Sequence, residues 1–77
     1  MPCEFAQVER KLRNNLTVLR RSCGLSQEQL AFEAGIDRTY VSQIERGHGN
    51  PSLAVMCRLA SALGVGICDL LDGDVTP

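Results

Sequence analysis

The chain has 77 residues, four cysteines and a formal net charge of −1 at pH 7. This length accommodates one domain, whose folding hides only about 60% of the surface that the unfolded chain exposes. A net charge of −1 cannot by itself attract nucleic acid. Most basic residues precede Asn50, however, and Asp69, Asp72 and Asp74 lie near the C-terminus, so the molecule could carry one basic face and one acidic end.

The first predicted helix carries one apolar stripe and ends at a glycine. Gly24 can adopt the left-handed conformation that ends many helices. Ser26 and Gln29 then form a capping-box pattern, which begins the second helix, and Gly35 ends it. The apolar residues of the first helix recur at spacings of three and four: Val8, Leu12, Leu16, Leu19 and Cys23.

The third predicted helix begins after Asp37, a capping residue, and extends to about Arg46. On a helical wheel, Val41 and Ile44 lie opposite an arc of polar side chains, so burying these two residues turns the arc outward. We call this set the polar arc: Arg38, Thr39, Ser42, Gln43 and Arg46. It could be an ordinary solvated face. Such faces usually mix Lys and Glu, however, whereas this arc is rich in donors that match base edges in the DNA major groove.

The last two predicted helices complete an all-α fold. Asn50 and Pro51 supply a cap and a first-position proline for the fourth helix, and Gly64 ends it. Its predicted buried side consists of Leu53, Met56, Leu59, Ala60 and Leu63. A short fifth helix spans 67–71. We therefore expect a compact five-helix bundle that contains a helix-turn-helix, in a single domain over 1–77 with its core at about 8–72.

The four cysteines and the one histidine, His48, form no closely spaced pairs. Structural zinc sites need such pairs, so we predict no metal site and no cofactor. We expect the cysteines to be small hydrophobic residues in or near the core, with redox sensing as the alternative. They are Cys3, Cys23, Cys57 and Cys68.

Several segments together resemble the lambda-repressor/Cro (XRE) type helix-turn-helix family. They are Gly-Leu-Ser-Gln-Glu at 24–28, Leu-Ala at 30–31, Ala-Gly at 34–35, Ser-Gln-Ile-Glu-Arg-Gly at 42–47, Asn-Pro-Ser-Leu at 50–53 and Leu-Ala-Ser-Ala-Leu-Gly-Val at 59–65. The resemblance implies a lambda-repressor-like DNA-binding domain with residues 38–46 as its recognition helix. In phage repressors of this kind, the recognition helix lies in the major groove.

The family resemblance implies a role for each matching residue. Residues that would face base edges are Arg38, Thr39, Ser42 and Gln43. Residues that would contact the sugar-phosphate backbone are Gln27, Tyr40 and Arg46. Packing is an equal alternative for Tyr40. Arg20 and Glu45 match an ion pair that ties the first helix to the third.

Residues 37–42 also resemble the controller proteins of restriction–modification systems, which are small dimeric regulators that time endonuclease expression. Two positions depart from the wider family. The loop at 47–50 lacks the basic residues that relatives often carry, so His48 is either a solvated loop residue or a phosphate contact. Gly66 stands where relatives often have a capping serine or aspartate, which predicts fraying of the fifth helix.

One recognition helix reads only a few base pairs, which predicts a two-fold homodimer on half-sites about 34 Å apart. The candidate dimer contacts lie toward the acidic end of the chain, away from phosphate: Leu53, Ile67, Leu70 and Leu71. The alternative is that these side chains only complete the monomer core.

The expected function is sequence-specific transcriptional regulation by a homodimer bound to a palindromic double-stranded DNA operator. A bound dimer could activate by touching RNA polymerase or repress by blocking a promoter. We find no His/Asp/Ser or Cys/His constellation that includes the one histidine, and no glycine-rich phosphate loop after a strand, so we predict no enzyme and no small-molecule substrate. A protein-interaction module, such as an antitoxin or adaptor with the same fold, is the alternative. With no signal peptide or membrane span predicted, we expect a bacterial or phage protein at the cytoplasmic nucleoid.

Overall fold

Five helices make up the described part of the chain, residues 4–71, in the computed structural model. They are α1 (Phe5–Ser22), α2 (Gln27–Ala34), α3 (Arg38–Glu45), α4 (Leu53–Leu63) and α5 (Ile67–Leu71). No strand occurs within these residues, which confirms the all-α class. None of the helices found there has the length and apolar character needed to cross a bilayer. The predictions for Cys3 and for residues from Asp72 onward fall outside the described range.

The helix-turn-helix begins and ends where the sequence predicts. The Ser26 hydroxyl accepts a hydrogen bond from the Gln29 backbone N–H at 3.0 Å, and the Gln29 side-chain oxygen accepts one from the Ser26 N–H at 2.8 Å. This capping box satisfies two backbone donors at the start of α2. Gly35 ends α2 with φ 70°, and the Asp37 carboxylate accepts from the Thr39 N–H at 2.8 Å to begin α3.

The predicted start of α4 was wrong by two residues. The cap is Ser52, whose hydroxyl accepts from the Val55 N–H at 3.2 Å, and Leu53 is the first helical residue. Asn50 and Pro51 precede the helix. Asn and Ser cap helices about equally well.

The hydrophobic core lies where α2 packs on α3 and α4, and where α1 packs on α3 and α5. Its fully buried side chains are Leu16, Leu30, Val41, Leu59 and Leu70. Asn15, the buried polar residue of α1, donates from Nδ2 to the carbonyl oxygens of Asp69 at 3.0 Å and Leu70 at 3.2 Å. These bonds fix α5 to α1 without leaving the amide unsatisfied in the core.

Two predictions about burial were wrong. Within the predicted buried side of α4, Leu59, Ala60 and Leu63 are buried and Met56 is half-buried, but Leu53 is 66% exposed. Leu53 is the first residue of the helix and lies at the edge of its buried stripe. The cysteines of the described range are exposed rather than in the core: Cys23, Cys57 and Cys68. Cys23 lies beyond the end of α1, and the other two occupy outward sides of short helices.

Candidate nucleic-acid interface

The polar arc of α3 faces outward because the opposite side of the helix is in the core. Val41 is 0% exposed and Ile44 is 4% exposed. Four members of the arc are exposed: Arg38, Thr39, Gln43 and Arg46. The fifth member, Ser42, is half-buried. The prediction that packing turns this arc toward solvent is therefore confirmed. Its donors and acceptors lie on one helix, an element that the DNA major groove admits.

The one acidic residue of α3, Glu45, points away from this surface into an ion pair with Arg20 of α1. The Nε of Arg20 lies 2.7 Å from Oε2 of Glu45, and its Nη2 lies 3.1 Å from Oε1. A third donor, Nη1, binds the carbonyl oxygen of Leu25 at 2.8 Å. The two side chains are only 11% and 6% exposed. The predicted ion pair is present, and it removes the carboxylate from the outward surface.

Gln27 joins the same network at the start of α2. Its Nε2 donates to Oε1 of Glu45 at 3.0 Å, so the side chain is held against the end of α3. An amide NH₂ carries two donors, and this bond uses one of them. The second donor and the first backbone N–H groups of α2 are compatible with the predicted phosphate contact, because helix N-termini attract anions.

Tyr40 is half-buried and packs against the core, as its packing alternative required. Its predicted contact with the DNA backbone stays a prediction.

His48 is exposed in the loop after α3, in which Gly47 adopts φ 80° and Gly49 φ 83°. Gly66 lacks a capping side chain, but its N–H donates to the Asp69 carboxylate at 3.0 Å, so half of a capping box is present at the start of α5.

The candidate dimer contacts do not share one environment. Leu53 is 66% exposed, and Ile67 and Leu71 are half-buried. Leu70 is 0% exposed and belongs to the monomer core. A side chain with no accessible surface cannot contact a second chain, so the core alternative holds for Leu70.

Two features of this region were not predicted. Phe32 of α2 is 86% exposed. The helical wheel could have revealed it, because Phe32 lies about 150° from the centre of the buried side of α2. Arg58 of α4 donates to the carbonyl oxygen of Gly35 at 3.4 Å, a long contact between residues far apart in sequence for which no local signal exists. Among residues 4–71, no group of three His, Cys, Asp or Glu side chains could hold a metal ion.

Comparison with known proteins identifies the family. The helix-turn-helix family model, HTH_3, matches residues 16–70. The chain belongs to this family. The resemblance found in the sequence is therefore confirmed, and membership indicates a DNA-binding helix-turn-helix domain of the kind found in transcriptional regulators.

Three relatives illustrate the similarity. The chain is 46% identical over 57 residues to a hypothetical transcription factor of Neisseria meningitidis, covering 74% of this chain and 54% of that protein. It is 54% identical over 48 residues to the control protein C.BamHI of Bacillus amyloliquefaciens, covering 62% of this chain and 59% of the relative. The chain thus spans little more than half the length of these two relatives. The crystal structure of the restriction–modification controller protein C.AhdI from Aeromonas hydrophila superposes with a TM-score of 0.78 at 43% identity, covering 88% of this chain and all of that one.

Proposed function

We propose that the chain regulates transcription as a homodimer that binds a palindromic DNA operator, with residues 38–46 of each copy in the major groove. The main support is the outward surface of α3. It presents Arg38 and Arg46 to solvent, while Glu45 is turned inward and neutralised by Arg20. A protein with a net charge of −1 can approach a duplex through such a surface because its local charge is positive.

Within this proposal the exposed side chains divide by position on α3. Arg38, at the first turn, donates two parallel hydrogen bonds to a guanine, and its neighbours on the polar arc contact adjacent base edges. These neighbours are Thr39, Ser42 and Gln43. The residues proposed to hold the sugar-phosphate backbone are Gln27, Tyr40 and Arg46. Phosphate contacts set the orientation of the helix, and the base contacts supply the specificity.

The proposed dimer contact uses the exposed apolar side chain of Leu53 together with the half-buried Ile67 and Leu71. All three lie on α4 and α5, the helices that follow the helix-turn-helix. Burying Leu53 against a second copy would remove an apolar side chain from water. A second copy also doubles the number of base pairs that are read.

A controller role in a restriction–modification system is the more specific form of this proposal. It is supported by two of the relatives above, a control protein and a controller protein, and by the resemblance of residues 37–42. Genes for a methyltransferase and an endonuclease beside the gene for this chain would establish that role, and their absence would exclude it.

The direct test measures binding of the protein to the DNA upstream of its own gene, in the presence of nonspecific competitor. The informative variant is Gln43→Glu, which places a negative charge on the polar arc. Its matched control is Gln7→Glu, the same change at an exposed position of α1. We expect Gln43→Glu to abolish specific binding and Gln7→Glu to retain most of it.

Equal loss in both variants would contradict the assignment of α3 as the binding surface. Absence of wild-type binding, with co-purification of another protein, would instead support the protein-interaction module.

A further inference from the structure

The side chain of Arg13 lies over the loop that follows the recognition helix. A methyl group on Gly47 would collide with Nη1 of Arg13 and would lie 3.5 Å from both its Cδ and its Cζ. Arg13 belongs to α1, so the two residues are brought together only by the packing of α1 against α3. The guanidinium of Arg13 therefore sits beside the residue that directly follows Arg46.

The loop itself supplies little positive charge. Its residues at 47–50 are Gly-His-Gly-Asn, with no lysine or arginine. Gly47 adopts φ 80°, a conformation that favours glycine, and its missing side chain leaves room for the guanidinium. Arg13 therefore supplies a positive charge beside a loop that has no lysine or arginine of its own.

The charge of Arg13 is available to a ligand. Glu45 is the carboxylate at the C-terminal end of α3. It is already engaged by Arg20 and Gln27. Within residues 4–71, Arg13 forms no ion pair or hydrogen bond, and its side chain is only half-buried. Its donors thus remain open to an anion that approaches the C-terminal end of α3.

We propose that Arg13 contacts a DNA phosphate beside the C-terminal end of the recognition helix. The inference rests on the proposed function, because it requires the polar arc to lie against a duplex. A phosphate is the expected partner, since the guanidinium lies against the loop rather than on the polar arc that would face the bases. The planar fork of arginine also matches phosphate oxygens in two parallel hydrogen bonds.

The test compares three variants for the salt dependence of their affinity for a duplex. Arg13→Met removes the charge but keeps a long apolar stem over Gly47, and Arg13→Lys keeps the charge. Arg10→Met is the matched control, because Arg10 is exposed one turn earlier on α1 and its loss changes the net charge equally. Urea unfolding of each variant reports separately on any structural role of the side chain.

We expect Arg13→Met to make the slope of log affinity against log salt concentration shallower by about 0.9 per chain, the value for one phosphate contact. Between about 50 and about 200 mM salt, the affinity deficit of Arg13→Met relative to wild type then shrinks about 3.5-fold per chain. Arg13→Lys should keep the wild-type slope, and so should Arg10→Met.

Equal slopes for Arg13→Met and Arg10→Met would overturn the inference while leaving the proposed function intact. The same holds if Arg13→Met lowers the urea midpoint but leaves the slope unchanged, because Arg13 would then only brace the loop. Absence of wild-type binding to any duplex would overturn the proposed function, and this inference with it.

Discussion

Helices α3 and α4 both turn one side toward solvent, but the two sides differ in chemistry. Outward positions of α3 carry charged and amide side chains, such as Arg38 and Gln43. Outward positions in the first half of α4 include Leu53, 66% exposed, and Cys57, and the polar Arg58 and Ser61 follow them. A polar surface suits the hydrated, charged groove of a duplex, whereas an apolar one suits a second protein surface. The proposed function therefore assigns DNA recognition and self-association to two different helices of one small bundle.

The largest effect on this difference between α3 and α4 is expected from removing the ion pair that holds α3 against α1. Glu45→Ala leaves the guanidinium of Arg20 nearly buried without its carboxylate. We expect the free energy of unfolding to fall by about 3–5 kcal/mol, because a buried charge then lacks compensation. Urea denaturation followed by circular dichroism measures this loss. Glu33→Ala, an exposed change on α2, should stay within about 0.5 kcal/mol of wild type. A loss below about 1 kcal/mol for Glu45→Ala would show that the pair is not needed to hold α3.

The apolar side of α4 is tested by Leu53→Asp. If Leu53 is buried between two copies, placing a carboxylate there should weaken dimerisation by about 3 kcal/mol, since two leucine side chains lose their burial. Sedimentation equilibrium measures the dissociation constant. Phe32→Asp is the matched control, because Phe32 is another exposed apolar residue on a different helix. Equal weakening of dimerisation by both variants, or no weakening by either, would show that Leu53 of α4 is not part of the dimer contact.

The polar side of α3 is tested by Arg38→Ala. We expect specific binding to weaken by about 1–3 kcal/mol, with base preference relaxed at one position of each half-site. Arg46→Ala should instead weaken binding to all sequences similarly. Binding to a library of operator variants distinguishes the two patterns. Uniform weakening by Arg38→Ala would assign that residue to phosphate.

A smaller change is expected at the start of α5, where the cap is incomplete. Gly66→Ser supplies the missing hydroxyl opposite Asp69, and a Cβ at Gly66 meets the Asp69 carboxylate at an unstrained 3.6 Å. We expect the free energy of unfolding, measured by thermal denaturation, to rise by about 0.3 kcal/mol, the usual difference between serine and glycine at a cap. Gly64→Ser should instead cost about 1 kcal/mol, because Gly64 has φ 72°. Destabilisation by Gly66→Ser would show that the cap position is otherwise constrained.

Local signals allowed the helix-turn-helix to be predicted from the sequence. Ser26, Gln29 and Asp37 satisfy backbone groups within three residues of themselves, and Gly35 ends α2 by its own conformational freedom. The start of α4 could not be predicted in the same way. Two good capping residues, Asn50 and Ser52, lie two positions apart, and the helical pattern of the buried residues is the same for either start.

Features that depend on packing between distant segments escaped prediction. Arg13 meets Gly47 through the packing of α1 against α3, and the 66% exposure of Leu53 depends on how α4 packs in the bundle. The ion pair between Arg20 and Glu45 is also distant in sequence. It was predicted only through the family resemblance, since nothing in the spacing of these residues reveals it.

The outward surface of α3 is proposed to occupy the major groove, and the roles of the other surface residues depend on this placement. Methylation of operator DNA by dimethyl sulfate tests it directly, because this reagent modifies guanine N7 in the major groove and adenine N3 in the minor groove. We predict that the bound protein shields guanine N7 in two clusters about 34 Å apart, and that Arg38→Ala exposes one guanine in each cluster. Shielding of adenine N3 alone, with guanine N7 fully reactive across the bound site, would contradict this placement.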